Sequence, residues 1–148
     1  MKDGRREREE QISYYVITNR GMMLDLEQTL DALMGYDVIF FGEDHDSHVA
    51  HAGELFLFSG LAERDDGLVL ALEMFERDVQ GTLNAYLKET MTEDAFLELA
   101  RPWPNYKEDY RPLVELAKAE SIPVIAANIP RKAAAAVARA DVISPDVL

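Results

Sequence analysis

Glu43, His45 and Glu73 are the residues whose types and positions in this sequence are best suited to chemistry. Glu43 and His45 follow one short apolar run, and Glu73 lies near the end of another. Carboxyl ends of parallel strands meet at one edge of a sheet, where adjacent strands lie about 4.8 Å apart. We therefore expect the three side chains to point into one cleft around a shared ion, water or ligand. Two carboxylates so close repel each other unless a cation or a histidinium lies between them.

Glu73 interrupts the apolar run LVLALEMF at 68–75, so the sequence predicts a buried carboxylate there. Removing the partner of a buried charge costs about 3–5 kcal/mol. Glu73 is therefore expected to be paired, metal-bound or protonated. If it is functional, it is a catalytic base or a metal ligand. The alternative is a structural ion pair with Arg77 or Arg101.

All three histidines of the chain fall within seven residues. Imidazole nitrogens and nearby carboxylates are suitable ligands for zinc or another divalent ion, and we predict Glu43, His45 and Glu73 as that set. For His48 and His51 the simpler interpretation is favoured, in which they are partly exposed residues of a first helical turn. That interpretation is weaker for His45, which directly follows the predicted strand.

Tyr106 and Tyr110 belong to the segment RPWPNYKEDYRP, and their spacing is most simply that of core contacts on one helical face. A tyrosinate can also ligate haem iron. Asn128 and Arg131 follow the last predicted strand, where they could cap a helix or bind an anion at its N-terminus. Both interpretations stay open. The predicted ligand-binding residues are Glu43, Arg101, Tyr106, Tyr110, Asn128 and Arg131.

The elements that must position these residues alternate along the chain. Short apolar runs predict buried, neighbouring parallel strands over 37–43, 68–75 and 123–128. Asp25 is expected to cap a helix, with Gln28 at the capping-box position. Strand propensity at 12–18 predicts a further strand. Pro102 and Pro104 cannot both lie inside a helix, so helical structure must be interrupted there. Further helices are predicted over 48–63, 79–88, 93–100, from Tyr106 onward, and over 131–139.

This alternation predicts an α/β fold, a mainly parallel sheet flanked by helices. We expect residues 1–11 to form a charged, disordered arm and residues 12–148 to form a single α/β domain. Three central strands make a thin sheet. We therefore expect this sequence to be the N-terminal part of a larger domain.

Composition excludes several classes of function. The net charge is −13, and residues 25–100 hold 18 acidic and three basic side chains, a field that would repel nucleic acid. Because cysteine is absent, disulfides, thiolate metal sites and cysteine nucleophiles are excluded. No apolar run approaches the roughly 20 residues of a transmembrane helix. Residues 1–10 show no secretory signal, so the sequence leaves the compartment open.

Four segments together resemble the ChaN-type haem-binding family, which is grouped with the Tiki proteases and the erythromycin esterases. They are FFGEDHDSHVAH, LALEMFERDVQGTLNAYL, RPWPNYKEDYRPLVELAK and IPVIAANIPR, and together they lie within residues 37–131. The resemblance implies an α/β fold with a pocket around Glu43, His45 and Glu73. It also implies haem binding linked to iron uptake, tyrosine ligation, a homodimer, and export or membrane association of the full-length protein. Related members carry a second Gly-x-x-His segment, which is absent here.

Three functional hypotheses follow. The leading one, which rests mainly on the resemblance, is a haem- or iron-binding protein. The second is a metal-assisted or general-base hydrolase, in which Glu73 activates water while His45 binds metal or carries a proton, as the resemblance to the esterase and Tiki branches implies. The third is a regulatory or interaction domain that retains the pocket as a relic and neither binds haem nor catalyses hydrolysis.

Overall fold

The computed structural model describes residues 15–139, which form two compact units, 15–40 and 41–139. The predicted charged arm at 1–11, the first residues of the strand predicted over 12–18, and residues 140–148 lie outside that range. That residues 12–148 form a single domain stays a prediction. No helix between residues 15 and 139 has the length and apolar character that a membrane crossing requires.

The first unit is a short antiparallel hairpin followed by a helix. Strands β1 (Val16–Ile17) and β2 (Met23–Leu24) pair across a turn in which Gly21 has φ +77°, a conformation that favours glycine. Helix α1 (Leu26–Leu33) begins at Asp25. Asp25 Oδ1 accepts from the Gln28 amide at 2.9 Å, and Gln28 Oε1 accepts from the Asp25 amide at 3.1 Å. The predicted capping box is therefore confirmed.

The second unit contains a parallel pair of strands, β3 (Leu70–Glu76) and β4 (Val124–Asn128). The predictions for 68–75 and 123–128 are thus confirmed as neighbouring parallel strands. The helices of this unit are α2 (His48–Ala62), α3 (Gln80–Leu87), α4 (Glu93–Ala100), α5 (Arg111–Ala119) and α6 (Arg131–Arg139), with a 3-10 turn at Arg77–Val79 and a π-helical turn at Tyr106–Tyr110. Helix and strand are therefore mixed, as predicted.

The alternation of side chains along β3 places Glu73 on an exposed face. Leu72 pairs with Ala126 and Glu76 pairs with Asn128. Between these two pairs β3 has two more residues than β4, which is a β-bulge. Leu72 and Met74 are buried and Glu73 between them is exposed, as in a regular strand, whereas the bulge brings Phe75 onto the buried face as well. The prediction that Glu73 is a buried carboxylate is therefore wrong. The apolar run described the covered face of β3, and Glu73 lies on its open face.

The strand predicted over 37–43 is also wrong. This segment has no strand pairing within residues 15–139, and Val38, Ile39, Phe40 and Phe41 are all exposed, Phe40 at 94%. β-branched and aromatic residues favour strands only where a neighbouring strand takes their hydrogen bonds. In the described chain β3 and β4 pair with each other instead.

The core of the second unit lies on the other face of β3 and β4. Leu72 and Val124 contribute from the strands, and the helices add aromatic and aliphatic side chains that are almost fully buried. Phe96 of α4 stacks on Tyr86 of α3 with ring centroids 4.4 Å apart. The side-chain amide of Gln80 donates to the Val124 carbonyl and accepts from the Ala126 amide, so it covers an edge of β4.

The two phenylalanines Phe96 and Phe40 give a direct test of this packing. Phe96→Ala should lower the free energy of unfolding by about 3–5 kcal/mol, because it removes a fully buried ring and leaves a cavity. Phe40→Ala should change it by less than about 0.5 kcal/mol, since its ring is in solvent. Urea unfolding followed by circular dichroism measures both. A Phe40→Ala cost comparable with that of Phe96→Ala would restore the buried strand that the sequence predicted.

Candidate functional site

The candidate site lies in the second unit, where the segment 41–47 meets the start of α2 and the π-helical turn. Ser47 caps α2 by accepting from the Ala50 amide at 3.3 Å. Its own amide donates to the Asp44 carbonyl at 2.8 Å, closing a turn that contains His45. The polar residues after the predicted strand thus form a tight entry to the helix, and they present His45 at the surface.

Glu43 holds the ring of His45. The Nδ1 atom of His45 lies 2.8 Å from Glu43 Oε1, and the Tyr110 hydroxyl donates to the same oxygen at 2.6 Å. The hydrogen bond to the Glu43 carboxylate is the main reason that the pKa of His45 is raised, and the charges of Glu43 and Glu73 add to it. The structure thus brings Glu43 and His45 together, as the sequence predicts, and adds Tyr110.

The other ring nitrogen of His45 is directed away from this contact. Because a carboxylate only accepts, Nδ1 carries a proton, and in the neutral ring Nε2 therefore has the free lone pair. Nε2 makes no hydrogen bond within the described chain, and the side chain is 55% exposed. The ring packs against Trp103 with centroids 4.5 Å apart. His45 therefore offers one exposed nitrogen ligand beside an aromatic surface.

His48 is exposed, as the simpler interpretation predicted, but it has a partner that the sequence did not indicate. Its Nδ1 atom lies 2.5 Å from Asp109 Oδ1, and the pKa of His48 is raised mainly by that hydrogen bond. Asn105 Nδ2 donates to Asp109 Oδ2 at 2.7 Å. Burial alone would raise the pKa of Asp109, but the hydrogen bonds from His48 and Asn105 lower it overall.

His51 contradicts the prediction of a partly exposed residue, because its side chain is only 2% exposed. Its Nε2 atom lies 3.1 Å from the His45 carbonyl oxygen and 2.9 Å from Glu43 Oε2. The sequence does contain a signal for this burial. Leu55, Phe58 and Leu61 follow His51 at i+4, i+7 and i+10, the spacing of one apolar helical face.

Tyr106 and Tyr110 are core residues, so the interpretation favoured from their spacing is confirmed. Both are buried, and burial is the main reason that the pKa of each phenol is raised. The Tyr106 hydroxyl has no hydrogen-bond partner in the described chain. The Tyr110 hydroxyl is bound to Glu43. Neither phenol is presented at the surface for a ligand.

Glu73 does not join the contacts that link Glu43 and His45. It makes no hydrogen bond or ion pair with another residue between 15 and 139, and it acts on His45 only through its charge. The predicted ion pair with Arg101 is not formed either. Across residues 15–139, no three histidine, aspartate or glutamate side chains are grouped so that they could hold a metal ion. The predicted divalent metal at Glu43, His45 and Glu73 therefore has no support from the structure.

The remaining predicted ligand residues form a separate group at the carboxyl ends of β3 and β4. Arg101 donates to both oxygens of Asp78 at 2.9 Å. Arg131 contacts Glu76 through Nε at 3.2 Å and through its backbone amide at 3.1 Å. The carboxylate of Glu76 thus occupies the N-terminus of α6, the position at which one of the two interpretations placed a bound anion. Asn128 is half-buried opposite Glu76 in the strand register.

The two exposed histidines have separate carboxylate partners, which gives a paired prediction. Glu43→Gln should lower the pKa of His45 toward its ordinary 6.5 and leave His48 unchanged, whereas Asp109→Asn should do the reverse. Each pair stabilises the fold fully below pH 6.5, and this contribution is lost as pH rises through the raised histidine pKa. NMR titration of the imidazole protons measures both. If either variant moved both histidines equally, the pairing described here would be wrong.

Comparison with known proteins gives two matches. The sequence model of the family described as haem-binding uptake, Tiki superfamily, ChaN matches residues 29–146. A solved structure described as cofacial heme binding to ChaN of Campylobacter jejuni has the same fold, with a TM-score of 0.73 and 20% identity over 91% of this chain. The match covers 56% of that chain, so this sequence spans little more than half its length. No curated protein sequence matches. The family match extends over most of the chain, which therefore belongs to the ChaN haem-binding uptake family of the Tiki superfamily.

Proposed function

We propose that this chain binds haem as part of iron uptake and that Nε2 of His45 ligates the haem iron. Membership of the haem-binding uptake family supports the ligand. The single observation that carries the assignment of the residue is the state of His45. Its ring is exposed, and its Nδ1 atom is held by Glu43 while Nε2 has no partner in the described chain.

This arrangement fits the requirements of an iron ligand. Histidines that bind metals usually donate their second ring N–H to a carboxylate or carbonyl, which fixes the tautomer and makes the other nitrogen more basic. Glu43 performs that role here. A proximal histidine is a common protein ligand of haem iron. Trp103 provides an aromatic side chain next to the ring, where a flat porphyrin could pack.

The two tyrosines that the resemblance put forward are less suited to this role. Tyrosine ligates iron as the phenolate, and burial disfavours that charged form for both Tyr106 and Tyr110. Tyr110 would also have to release Glu43. We therefore assign Tyr110 to the support of Glu43 and Tyr106 to the core.

Haem titration of matched variants tests the proposal. The wild-type protein should develop a Soret band that saturates with added haem. His45→Gln should weaken haem binding by at least about tenfold, since changes to mere outer-shell partners of a metal ligand already cost 10–100-fold. His48→Gln is the matched control, because His48 is also an exposed histidine bound to a carboxylate. It should leave the affinity unchanged, as should Tyr106→Phe.

Two outcomes would contradict the proposal. If the wild-type protein gave no saturable Soret band, haem binding itself would be wrong and the hypothesis of a domain without pocket chemistry would gain support. If Tyr106→Phe or Tyr110→Phe abolished the band while His45→Gln kept it, the chain would bind haem through a tyrosine.

We further propose that a second protomer covers the bound haem, giving a symmetric dimer. The exposed position of His45 supports this, because a haem bound there would have one face in solvent. The relative from Campylobacter jejuni is described as binding haem cofacially. Sedimentation velocity should show association on addition of haem in the wild-type protein and not in His45→Gln. If the wild-type protein sedimented as a monomer both with and without haem, the proposal of a haem-linked dimer would be wrong.

Two broader features are also proposals. We propose that β3 and β4 belong to a mainly parallel sheet. The exposed apolar side chains on their open face, such as Ile125, support this, because parallel sheets are normally covered on both faces. We propose that the full-length protein is exported or membrane-associated, which family resemblance alone supports. No contact or comparison favours the hydrolase alternative, since Glu73 has no hydrogen bond to His45.

A further inference from the structure

His51 contacts two residues of the segment 41–47, which contains His45 and is called the His45 segment. Its ring lies in the first turns of α2 and packs edge-on against Tyr110, with centroids 4.5 Å apart. Its Nε2 atom lies within 3.1 Å of the backbone oxygen of His45 and 2.9 Å of Glu43 Oε2. The buried Nε2 atom of His51 thus contacts His45 and Glu43, the two residues that determine the orientation of the His45 ring.

The chemistry of these partners determines which nitrogen of His51 carries a proton. A carbonyl oxygen only accepts, so the hydrogen bond to His45 requires a proton on Nε2. That hydrogen bond is aligned on the carbonyl. The His51 N–H therefore does not point at Glu43 Oε2, which is close to Nε2 but receives no hydrogen bond from it. His51 Nε2–H therefore binds the backbone of His45 and also lies against the carboxylate that holds the His45 ring.

A second donor acts on the same carbonyl oxygen. Asn105 Nδ2 lies 2.9 Å from the His45 oxygen, and the same amide also donates to Asp109. The His45 carbonyl therefore accepts from α2 on one side and from the residue that precedes the π-helical turn on the other. These two contacts fix the segment that presents His45 relative to the rest of the second unit.

We propose that His51 is a positioning residue, which fixes the His45 segment and the Glu43 carboxylate so that His45 Nε2 faces a ligand. This proposal rests on the proposed function in its reference to haem, but the placement of the His45 ring can be tested without haem. His51 itself would not touch the iron, because its side chain is buried and its Nε2 proton is already donated.

The only tryptophan of the chain gives a direct readout of that placement. Trp103 is in contact with the His45 ring, and a histidine in contact with an indole quenches its fluorescence. His51→Gln places its side-chain amide near the position of Nε2, whereas His51→Asn places it near Nδ1 and cannot reach the His45 carbonyl. In the protein without haem, His51→Asn should raise Trp103 emission to the level of His45→Gln. His51→Gln and the control His48→Asn should retain wild-type emission.

Haem titration of the same variants completes the test. His51→Asn should weaken haem binding by about 10–100-fold, the usual effect of losing an outer partner of a metal ligand, while His51→Gln should stay close to wild type. A His51→Asn protein that lost thermal stability but kept wild-type Trp103 emission and haem affinity would show a purely structural histidine and overturn the proposal.

The two proposals can fail separately. If the wild-type protein bound no haem, the proposed function would fail, and Trp103 emission would still decide whether His51 positions His45. If haem bound equally well to both His51 variants while His45→Gln lost it, His45 would remain the ligand and the positioning role would be wrong. Should His51→Asn not fold, His51→Met takes its place, because it keeps a side chain of similar volume but has no donor for the His45 carbonyl, and wild-type Trp103 emission in that variant would contradict the proposal.

Discussion

The Glu43 carboxylate, only 12% exposed, needs hydrogen bonds or opposite charge, because burying an unpaired carboxylate is costly. It obtains three partners from three parts of the second unit. His45 lies two residues away on the same segment, His51 is on α2, and Tyr110 ends the π-helical turn. The arrangement of these elements around the site follows from that one requirement. Loss of any one partner would leave the others to compensate for a largely desolvated charge.

The same requirement explains the buried polar groups next to Glu43. Asp109 is also buried and obtains partners from His48 and Asn105, so a second carboxylate is satisfied from the same elements. Glu54 lies close to His51 without a hydrogen bond, and burial raises its pKa. A region with a large excess of acid therefore concentrates its histidines where carboxylates are buried. Each of the three histidines in this cluster lies against a carboxylate: His45 and His51 contact Glu43, and His48 contacts Asp109.

Local signals predicted much of the fold. Capping residues and apolar periodicity located α1 to α4 to within a residue or two, because both act over one or two helical turns, whereas the helix predicted from Tyr106 onward begins as an α-helix only at Arg111. The contact between Glu43 and His45 could also be predicted, since both residues follow the same apolar run. The strand at 37–43 failed because strand formation depends on a distant partner that no local pattern reveals. Glu73 failed because a continuous apolar run does not show which face of the strand is covered, and Glu73 lies with Ala71 on the exposed face.

His51 shows the complementary difficulty. Its helical spacing with Leu55 and Phe58 indicated burial, but histidine is often exposed, so the residue type outweighed the pattern. Its partners could not be predicted at all. They depend on a π-helical turn that brings Asp109 and Tyr110 against α2, and no residue pattern in that segment distinguishes a π turn from an ordinary helix.

The assignment of His45 as the iron ligand can be decided by identifying the protein atom that is bound to haem iron. Protein labelled with ¹⁵N only in histidine should be loaded with ferric haem and examined by electron–nuclear double resonance. If His45 ligates the iron, a ¹⁵N coupling from one histidine should be present in the wild-type and His48→Gln proteins and absent in His45→Gln. A complex with no histidine coupling and the charge-transfer band of an iron–tyrosinate bond would contradict that assignment.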